Sequence, residues 1–502
     1  MTTTSAPADQ AGEPVLLPDR DSALRLLGPG QHIALLFAAI VLPSVVLTSA
    51  LTGTGPGPWW WAQAFVAGVT AVYLVMLCFR CVVVAAGMGA PVIRPSAEDL
   101  AHGELPPYTV LVPLHREQAV LPGLIATIRL LDYPDDRLQV LLLVEQDDTI
   151  TRAALDVLEL PSVCEVVVVP EGGPRTKPNA CNVGLARATG ELCVIYDAED
   201  RPEPDQPRKA AAAFAGLPDR VVCVQAELSY WNPWTNWLTR NFAAEYALNF
   251  ALVLRGLDRL GLAIPLGGTS NHFRVDALRA LGGWDPHNVT EDADLGVRIA
   301  RRGWDVRMVD SVTHEEANSH LGNWIRQRSR WIKGYLQTWL VHMRDPWRLL
   351  RDLGVRRFVG FQLTFGLSGF TALVNPLFWA MTCYYLVAGP ERIEPLFPSA
   401  VLYAGVASLL LGNLAVLYLF MAGCMERGLA RAVPTMLTVP LYWALMSVAA
   451  YKAATQLLRP SKRHHWELTR HGLVELDEET HGILFGPGVI PRQRDETSRP
   501  GG

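Results

Sequence analysis

Long uncharged apolar runs occupy the two ends of the chain, and short apolar runs broken by polar residues occupy its middle. Residues 33–51 are long enough to cross a bilayer as a helix. An uncharged Gly/Pro turn at 52–58 follows, and 59–79 crosses back, beginning with Trp59-Trp60-Trp61, which suits an interfacial belt. Arg20 and Arg25 precede this hairpin and Arg80 and Arg94 follow it, which predicts a cytoplasmic N-terminus and a cytoplasmic next domain. From Tyr108 the pattern changes. Residues 109–112, 139–144, 165–169, 192–196 and 221–224 read as buried strands. Val120, Leu121, Leu124, Ile125, Ile128 and Leu131 recur at helical spacing, and 179–188 and 205–215 predict further helices. Strands alternating with helices imply an α/β domain with a mostly parallel sheet, with ligands beyond the carboxyl ends of its strands.

Beyond the sheet, Trp231, Trp234 and Trp237 lead into a long helix toward Leu260. Trp324, Trp331, Tyr335 and Trp339 form a stripe interleaved with Arg326, Arg328, Arg330 and Lys333, the pattern of a helix lying along a membrane interface. Packing in a core is the plainer reading of any one of these aromatics. A second apolar block starts after Arg356-Arg357, with a long span at 358–387 and another at 399–422. Residues 434–458 are apolar but contain Pro434 and Pro440. A simple crossing there would put Arg459, Lys462 and Arg463 outside, against the positive-inside rule. A broken, re-entrant or interfacial segment with a cytoplasmic tail fits better.

Composition agrees with this division. Half of the 502 residues are hydrophobic and only 19% are charged, and mean hydropathy is positive. Membrane spans, rather than one very large core, account for that balance. The expected organisation is a disordered tail (1–30), a transmembrane hairpin (31–90), the α/β domain (105–320), amphipathic interfacial helices (321–357), a C-terminal transmembrane block (358–458) and a cytosolic tail (459–502). The net charge of −5 says little, and no long basic stripe points to nucleic acid. The eight Cys are scattered; Cys78 and Cys81 have C-x-x-C spacing but no second pair for zinc, so buried thiols in a reducing compartment are expected.

The chemistry-bearing residues cluster after apolar runs. Asp197-Ala198-Glu199-Asp200 leaves the fourth strand directly, and paired carboxylates there can hold a hard divalent ion, Mg²⁺ or Mn²⁺, together with phosphate oxygens. Which of Glu199 and Asp200 joins Asp197 stays open, and an acidic turn is the bland alternative. Lys177, at a helix start with Pro178, suits a diphosphate through its charge and the free backbone N–H groups. Glu291 and Asp292 open another helix, where acids also favour the dipole. Gln327, Arg330 and Trp331 share one helical face. A guanidinium can grip a diphosphate bidentately, and an indole face can stack on a sugar. His314-Glu315-Glu316-Ala317-Asn318 fails as a zinc-protease motif because position 318 is not His.

Taken in order, Asp197-x-Glu199, Thr290-Glu291-Asp292 and Gln327-x-x-Arg330-Trp331 between apolar blocks resemble the family 2 membrane glycosyltransferases, which include cellulose, chitin and hyaluronan synthases. The resemblance runs from Tyr108 to Met343 plus the flanking spans. It implies a GT-A-like, Rossmann-related cytosolic domain inserted between two helical transmembrane blocks of a multi-pass plasma (inner) membrane protein. It implies Asp292 as the base that takes the acceptor hydroxyl's proton, with Glu291 beside it, in an inverting transfer from a nucleotide sugar, UDP-linked by analogy. Glu117, matching the end of a P-x-x-N-E stretch, and Glu145, with Asp147 as the alternative, are implied contacts to the base of the nucleotide. Lys177 and Asn182 match a K-x-x-x-x-N stretch, and Gly268, Thr269 and Ser270 match a donor-sugar loop. Residues 466–472 resemble a W-x-x-T-x-H-G ending. The implied product is a polysaccharide exported through the protein's own helices. A single transfer to a lipid-linked acceptor and a catalytically inactive scaffold subunit are the rival readings. A pure transporter is disfavoured because no span carries a clear set of central acids or bases.

Overall fold

The computed structural model describes residues 17–53, 58–102, 105–389, 391, 394–465 and 467. Two antiparallel apolar helices come first, α1 (Pro29–Thr52) and α2 (Pro58–Gly87). The α/β domain follows as β1 (Tyr108–Leu114), α3 (Leu121–Leu130), β2 (Leu138–Glu145), β3 (Cys164–Val169), α4 (Lys177–Arg187), β4 (Leu192–Ile195), β5 (Arg201–Pro202), α5 (Gln206–Ala215) and β6 (Val221–Tyr230). Next comes α6 (Trp237–Leu248), which continues through a π-helical turn, Asn249–Leu254, to Arg259. The domain closes with β7 (Asn271–Arg274), α7 (Glu291–Arg301) and β8 (Asp305–Glu315). Then come α8 (Leu321–His342), α9 (Pro346–Phe361), α10 (Leu367–Ala388), α11 (Ser399–Ala407), α12 (Asn413–Glu426) and α13 (Val439–Leu458).

The eight strands form one sheet in the order β3-β2-β1-β4-β7-β6-β8-β5. Alternation of side chains along the strands feeds two cores. Leu111, Leu141, Leu143 and Val167 pack on one face against Cys181 and Leu185 of α4. Val110, Val112, Val140 and Leu142 pack on the other against Leu124 of α3 and Phe214 of α5. The expected mostly parallel sheet is mixed: β7 runs antiparallel to both β4 and β6, and β5 is antiparallel to β8. Neither β7 nor β8 was expected. β7 spans four residues, too few to show a period. In β8, Val306, Met308 and Val309 are buried between charged neighbours, and the long pairing with β6 supplies what local propensity lacks.

Among the described residues, five helical segments are long and apolar enough to cross a membrane: Pro29–Thr52, Trp60–Gly87, Pro346–Ala388, Ser399–Glu426 and Ala430–Leu458. Within the last, α13 is tied on both sides to the helices α6 and α8. Before it, Trp237 donates to Thr438 at 2.6 Å; after it, Gln337 donates to the Arg463 carbonyl at 2.8 Å. Between these points α13 lies against α8, with Tyr442 in contact with Trp324, ring centroids 5.0 Å apart. The aromatic stripe of α8 is likewise packed on protein: Trp324 is fully buried, Tyr335 stacks on Phe365 at 4.9 Å, and Trp339 donates to Gln362 at 2.7 Å.

Part of the expected disordered tail is in place. Ser22, Ala23 and Leu26 are buried, and Asp285 accepts hydrogen bonds from the Ser22 hydroxyl (2.9 Å) and the Ala23 N–H (2.5 Å). Asp285 is an acid whose exposed equivalent would be solvated; buried here, it holds the strap just before α1. Residues 1–16, Trp466 and 468–502, including most of the W-x-x-T-x-H-G stretch, lie outside the described residues.

Candidate active site

A cavity of about 1200 Å³ opens beyond the carboxyl ends of β1, β2 and β4 and continues without a break between α2, α10, α12 and α13. Its catalytic half is lined by Glu117, Glu145, Asp147, Lys177, Asp197, Glu199, Gly268, Thr269, Glu291, Asp292, Gln327, Arg330 and Trp331. These residues come from distant parts of the chain: most follow a strand end or open a helix, Gly268 and Thr269 lie in the loop before β7, and Gln327, Arg330 and Trp331 lie within α8.

At the outer end, Asp148 caps the helix after β2 by accepting from Thr151 N–H at 3.1 Å, and it also accepts from Arg116 N–H at 2.5 Å. That second bond holds Arg116 at φ 59°, a left-handed conformation uncommon for a non-glycine residue. Glu117, the next residue, borders the same cavity as Glu145. Burial raises the Glu145 carboxyl, and the Asp147 charge adds to it; Asp147 itself pairs with Arg175 at 2.7 Å.

Deeper in, Lys177 stands at the first turn of α4, donates to the Gly268 carbonyl at 2.7 Å and forms an ion pair with Asp197. Burial alone would lower its ammonium; Asp197 and Glu291 overcome that and hold it above the ordinary lysine range. Asp292 lies across the loop: a Cβ on Gly268 would stand 3.4 Å from its Oδ2, so the loop passes close over the acid. Asp292 also accepts from the Ala293 N–H at 2.8 Å, at the start of α7. Burial raises Asp292 to about 6, against the pull of that N–H, Lys177 and Arg330. Burial, then the neighbouring Asp292, raises Glu291 to about 8. Both carboxyls of the pair are therefore held above the ordinary carboxylate range, Glu291 further than Asp292.

Helix α8 carries Gln327, Arg330 and Trp331 into this space. Gln327 accepts from Asn318 at 2.7 Å. Trp331 stacks near-parallel on Tyr246, with centroids 6.1 Å apart at 28°, and meets Phe242 at 6.0 Å. Behind them lies Arg328, which the sequence reading gave no role of its own. Its guanidinium covers the Phe242, Trp331 and Trp324 rings at 4.4, 4.6 and 5.6 Å, and it pairs with Glu245 and the Tyr442 hydroxyl. Only its position inside the Gln327–Trp331 motif could have signalled this. Glu315, at the end of β8, was read only as part of a failed zinc motif, yet it borders the cavity. Burial, then Asp200, Asp197 and Glu199, push its carboxyl well above the usual range.

Three residues expected at the site do not border the cavity. Asp200 is turned into the fold, where it accepts from Asp197 N–H at 2.7 Å and from the Thr269 hydroxyl. Asn182 is bound at both ends of its amide to the Trp284 backbone, at 2.8 and 2.9 Å, and so ties α4 to the following loop. Ser270 is fully buried with its hydroxyl on Thr313 at 2.6 Å. Asp200 and Ser270 each follow a cavity-lining neighbour, Glu199 and Thr269, and are held inward by these bonds, while Asn182 is held by its two bonds to Trp284. Among the described residues no group of three or more His, Cys, Asp or Glu could hold a metal unaided. Asp197 and Glu199 remain as two carboxylates on the cavity wall, a set that suits a hard ion whose other positions go to ligand oxygens and water.

Comparison with known proteins places residues 192–447, from β4 into α13, under the model for glycosyl transferase family group 2. A probable glycosyltransferase, YdaM, of Bacillus subtilis (strain 168) is 25% identical over 56% of this chain and 68% of its own length. The β-monoglucosyldiacylglycerol synthase of Synechocystis sp. is 28% identical over 50% of this chain, and the match spans only 52% of that protein. Among solved structures, a Pyrobaculum calidifontis mannosyltransferase in complex with GDP-Man and Mn²⁺ has a TM-score of 0.46 and 20% identity, covering 79% of this chain and 99% of that one.

Proposed function

This chain belongs to glycosyl transferase family group 2 and is a glycosyltransferase, and from that premise we propose that it transfers a sugar, with inversion, from a nucleotide sugar to an acceptor that enters from the membrane side. The observation that carries this reading is the continuity of the cavity from Asp292 to the apolar helices. Asp292 takes the proton of the attacking hydroxyl, with the raised Glu291 carboxyl beside it. Lys177 and Arg330 supply positive charge to the departing diphosphate. Asp197 and Glu199 would hold Mg²⁺ or Mn²⁺, whose chemistry when bound is to neutralise that diphosphate. Glu117, Glu145 and Asp147 face the nucleotide end, for which a UDP-linked donor is the version the sequence resemblance supports. Trp331 faces the acceptor.

The product we favour is a polysaccharide that grows into the membrane half of the cavity, with the catalytic domain on the cytoplasmic side of the plasma membrane. One face of α10 supports it: Ser368, Thr371, Asn375, Trp379, Thr382 and Tyr385 recur at helical spacing along the cavity wall. Tyr73 of α2 reaches across to bond Asn375. Hydroxyls, an amide and aromatic faces suit a sugar chain better than an acyl chain. The opposite wall, with Met76, Leu77, Leu409 and Val416, is apolar, and this favours the second reading, a single transfer to a lipid acceptor. Incubation of purified protein with labelled nucleotide sugars separates the two by product length. A ladder of increasing length supports the polymer, one added sugar per lipid supports the second, and an inert protein across the full donor panel sinks both.

A further inference from the structure

We propose that Glu315 forms, with Trp331 and Tyr246, a subsite that grips two neighbouring hydroxyls of a sugar ring at the acceptor end; this rests on the transferase reading above. Position 315 is fixed by the sheet. The residue pairs in register with Tyr230 of β6, and its carbonyl accepts from the Trp231 N–H at 3.1 Å. Its side chain borders the cavity, and among the described residues no hydrogen bond or ion pair engages the carboxyl. On one side it faces Asp197 and Glu199, which border the same cavity. On the other is Tyr230, its register partner in β6, whose ring lies 4.3 Å from that of Tyr246, with Trp331 next in the stack.

A carboxyl on the cavity wall that no group among the described residues engages has both oxygens available to a ligand that enters there. Two oxygens on one carbon match a vicinal diol, and an aromatic wall beside them matches the C–H face of the same ring. An acyl chain satisfies neither, and a diacylglycerol, with a single free hydroxyl, offers no vicinal diol. Glu315 therefore reads the acceptor as a sugar, while Asp292 does the chemistry. The competing role is a further carboxylate for the metal.

The test uses full-length protein in detergent with a labelled nucleotide sugar. Octyl glucoside serves as a one-sugar acceptor and dioctanoylglycerol as a lipid without sugar. Glu315→Ala is expected to raise the KM for octyl glucoside by about 10- to 100-fold, with the KM for the nucleotide sugar changed less than about twofold. Transfer to dioctanoylglycerol, where it occurs, is expected to be unchanged. Glu315→Gln, which keeps two polar atoms, is expected to stay within about threefold of wild type. Should Glu315→Ala not fold, Glu315→Met fills the space without polar atoms and takes its place. An unchanged KM for octyl glucoside overturns the subsite. So does a rise in the Mn²⁺ concentration needed by Glu315→Gln, which would make the residue a metal ligand. Wild-type protein that uses dioctanoylglycerol alone overturns the subsite and leaves the transferase reading standing, whereas wild-type protein that transfers to nothing overturns both.

Discussion

Gly334 lies so close to Thr290 that a Cβ at position 334 would stand 2.3 Å from the Thr290 hydroxyl oxygen. The contact joins the helix that carries Arg330 and Trp331 to the residue immediately before Glu291 and Asp292, so the spacing between base and acceptor platform is set by the absence of one methyl group. Gly334→Ala is expected to retain the fold and lower transfer by about 100-fold, because displacement of about 1 Å in a reacting constellation has that effect. A variant with wild-type turnover would show that the two helices are not held in register by this contact.

The two acids of the pair make opposite demands. Asp292 works as a base only when ionised, so transfer is expected to rise as pH passes through about 6. Asp292→Asn is expected to lose about 10²- to 10⁴-fold in turnover with nucleotide binding intact. Stability runs the other way. Both carboxyls have folded-state values above their ordinary ones, so between roughly pH 4 and 8 the folded protein holds protons that the unfolded chain has released. Their contribution to stability therefore falls as pH rises through that window. Asp292→Asn and Glu291→Gln are expected to melt higher than wild type at pH 8 and to lose that advantage near pH 4. Thermal melts at the two values check it.

Arg328 is expected to matter structurally before it matters catalytically. Arg328→Met leaves Glu245 without its cation and is expected to lower stability by about 3 kcal/mol, the low end for a broken buried pair because Glu245 keeps some access to solvent. Adding Glu245→Gln is expected to restore part of that loss, since the stranded charge is gone. Chemical denaturation of the two single variants and the double variant measures the coupling.

Metal dependence is expected to separate Asp200 from its neighbours. Chelation is expected to stop transfer, and Mg²⁺ or Mn²⁺ to restore it. Asp197→Asn and Glu199→Gln are expected to raise the metal concentration for half-maximal rate or abolish the rate. Asp200→Asn, whose carboxyl serves Asp197 N–H and Thr269 inside the fold, is expected to leave that concentration unchanged. A metal titration of the three variants decides the matter.

The α10 stripe gives a prediction about product rather than rate. Asn375→Leu combined with Trp379→Leu is expected to leave release of free nucleotide near wild type and to shorten the glycan. Gel separation of labelled product reads the length. Unchanged length would move the growing chain to another route.

Much of this was legible before any coordinates. Strands 109–112, 139–144 and 192–196 are continuous apolar runs, and the acids at their ends follow from where such runs stop. Spacing put Arg330 and Trp331 on one helical face, and both border the cavity; the roles proposed for them come from the resemblance. What escaped depends on partners far along the chain. β8 alternates charged and apolar residues and becomes a strand through β6. Whether Asp200, Asn182 or Ser270 faces the cavity turns on bonds to Thr269, Trp284 and Thr313 that no composition records. Arg328 could be read as an exposed basic residue until Glu245 and Tyr442 are brought beside it.

The docking of α13 and the residues after it has a consequence for how the enzyme is born. Lys333 and Gln337 of α8 hold the carbonyls of His465 and Arg463, each at 2.8 Å, and Tyr442 completes the seat of Arg328. Synthesis must therefore reach His465 before the helix bearing Trp331 has its last supports. A chain cut before Arg463 lacks both carbonyls, and Lys333 and Gln337 are then left without these partners.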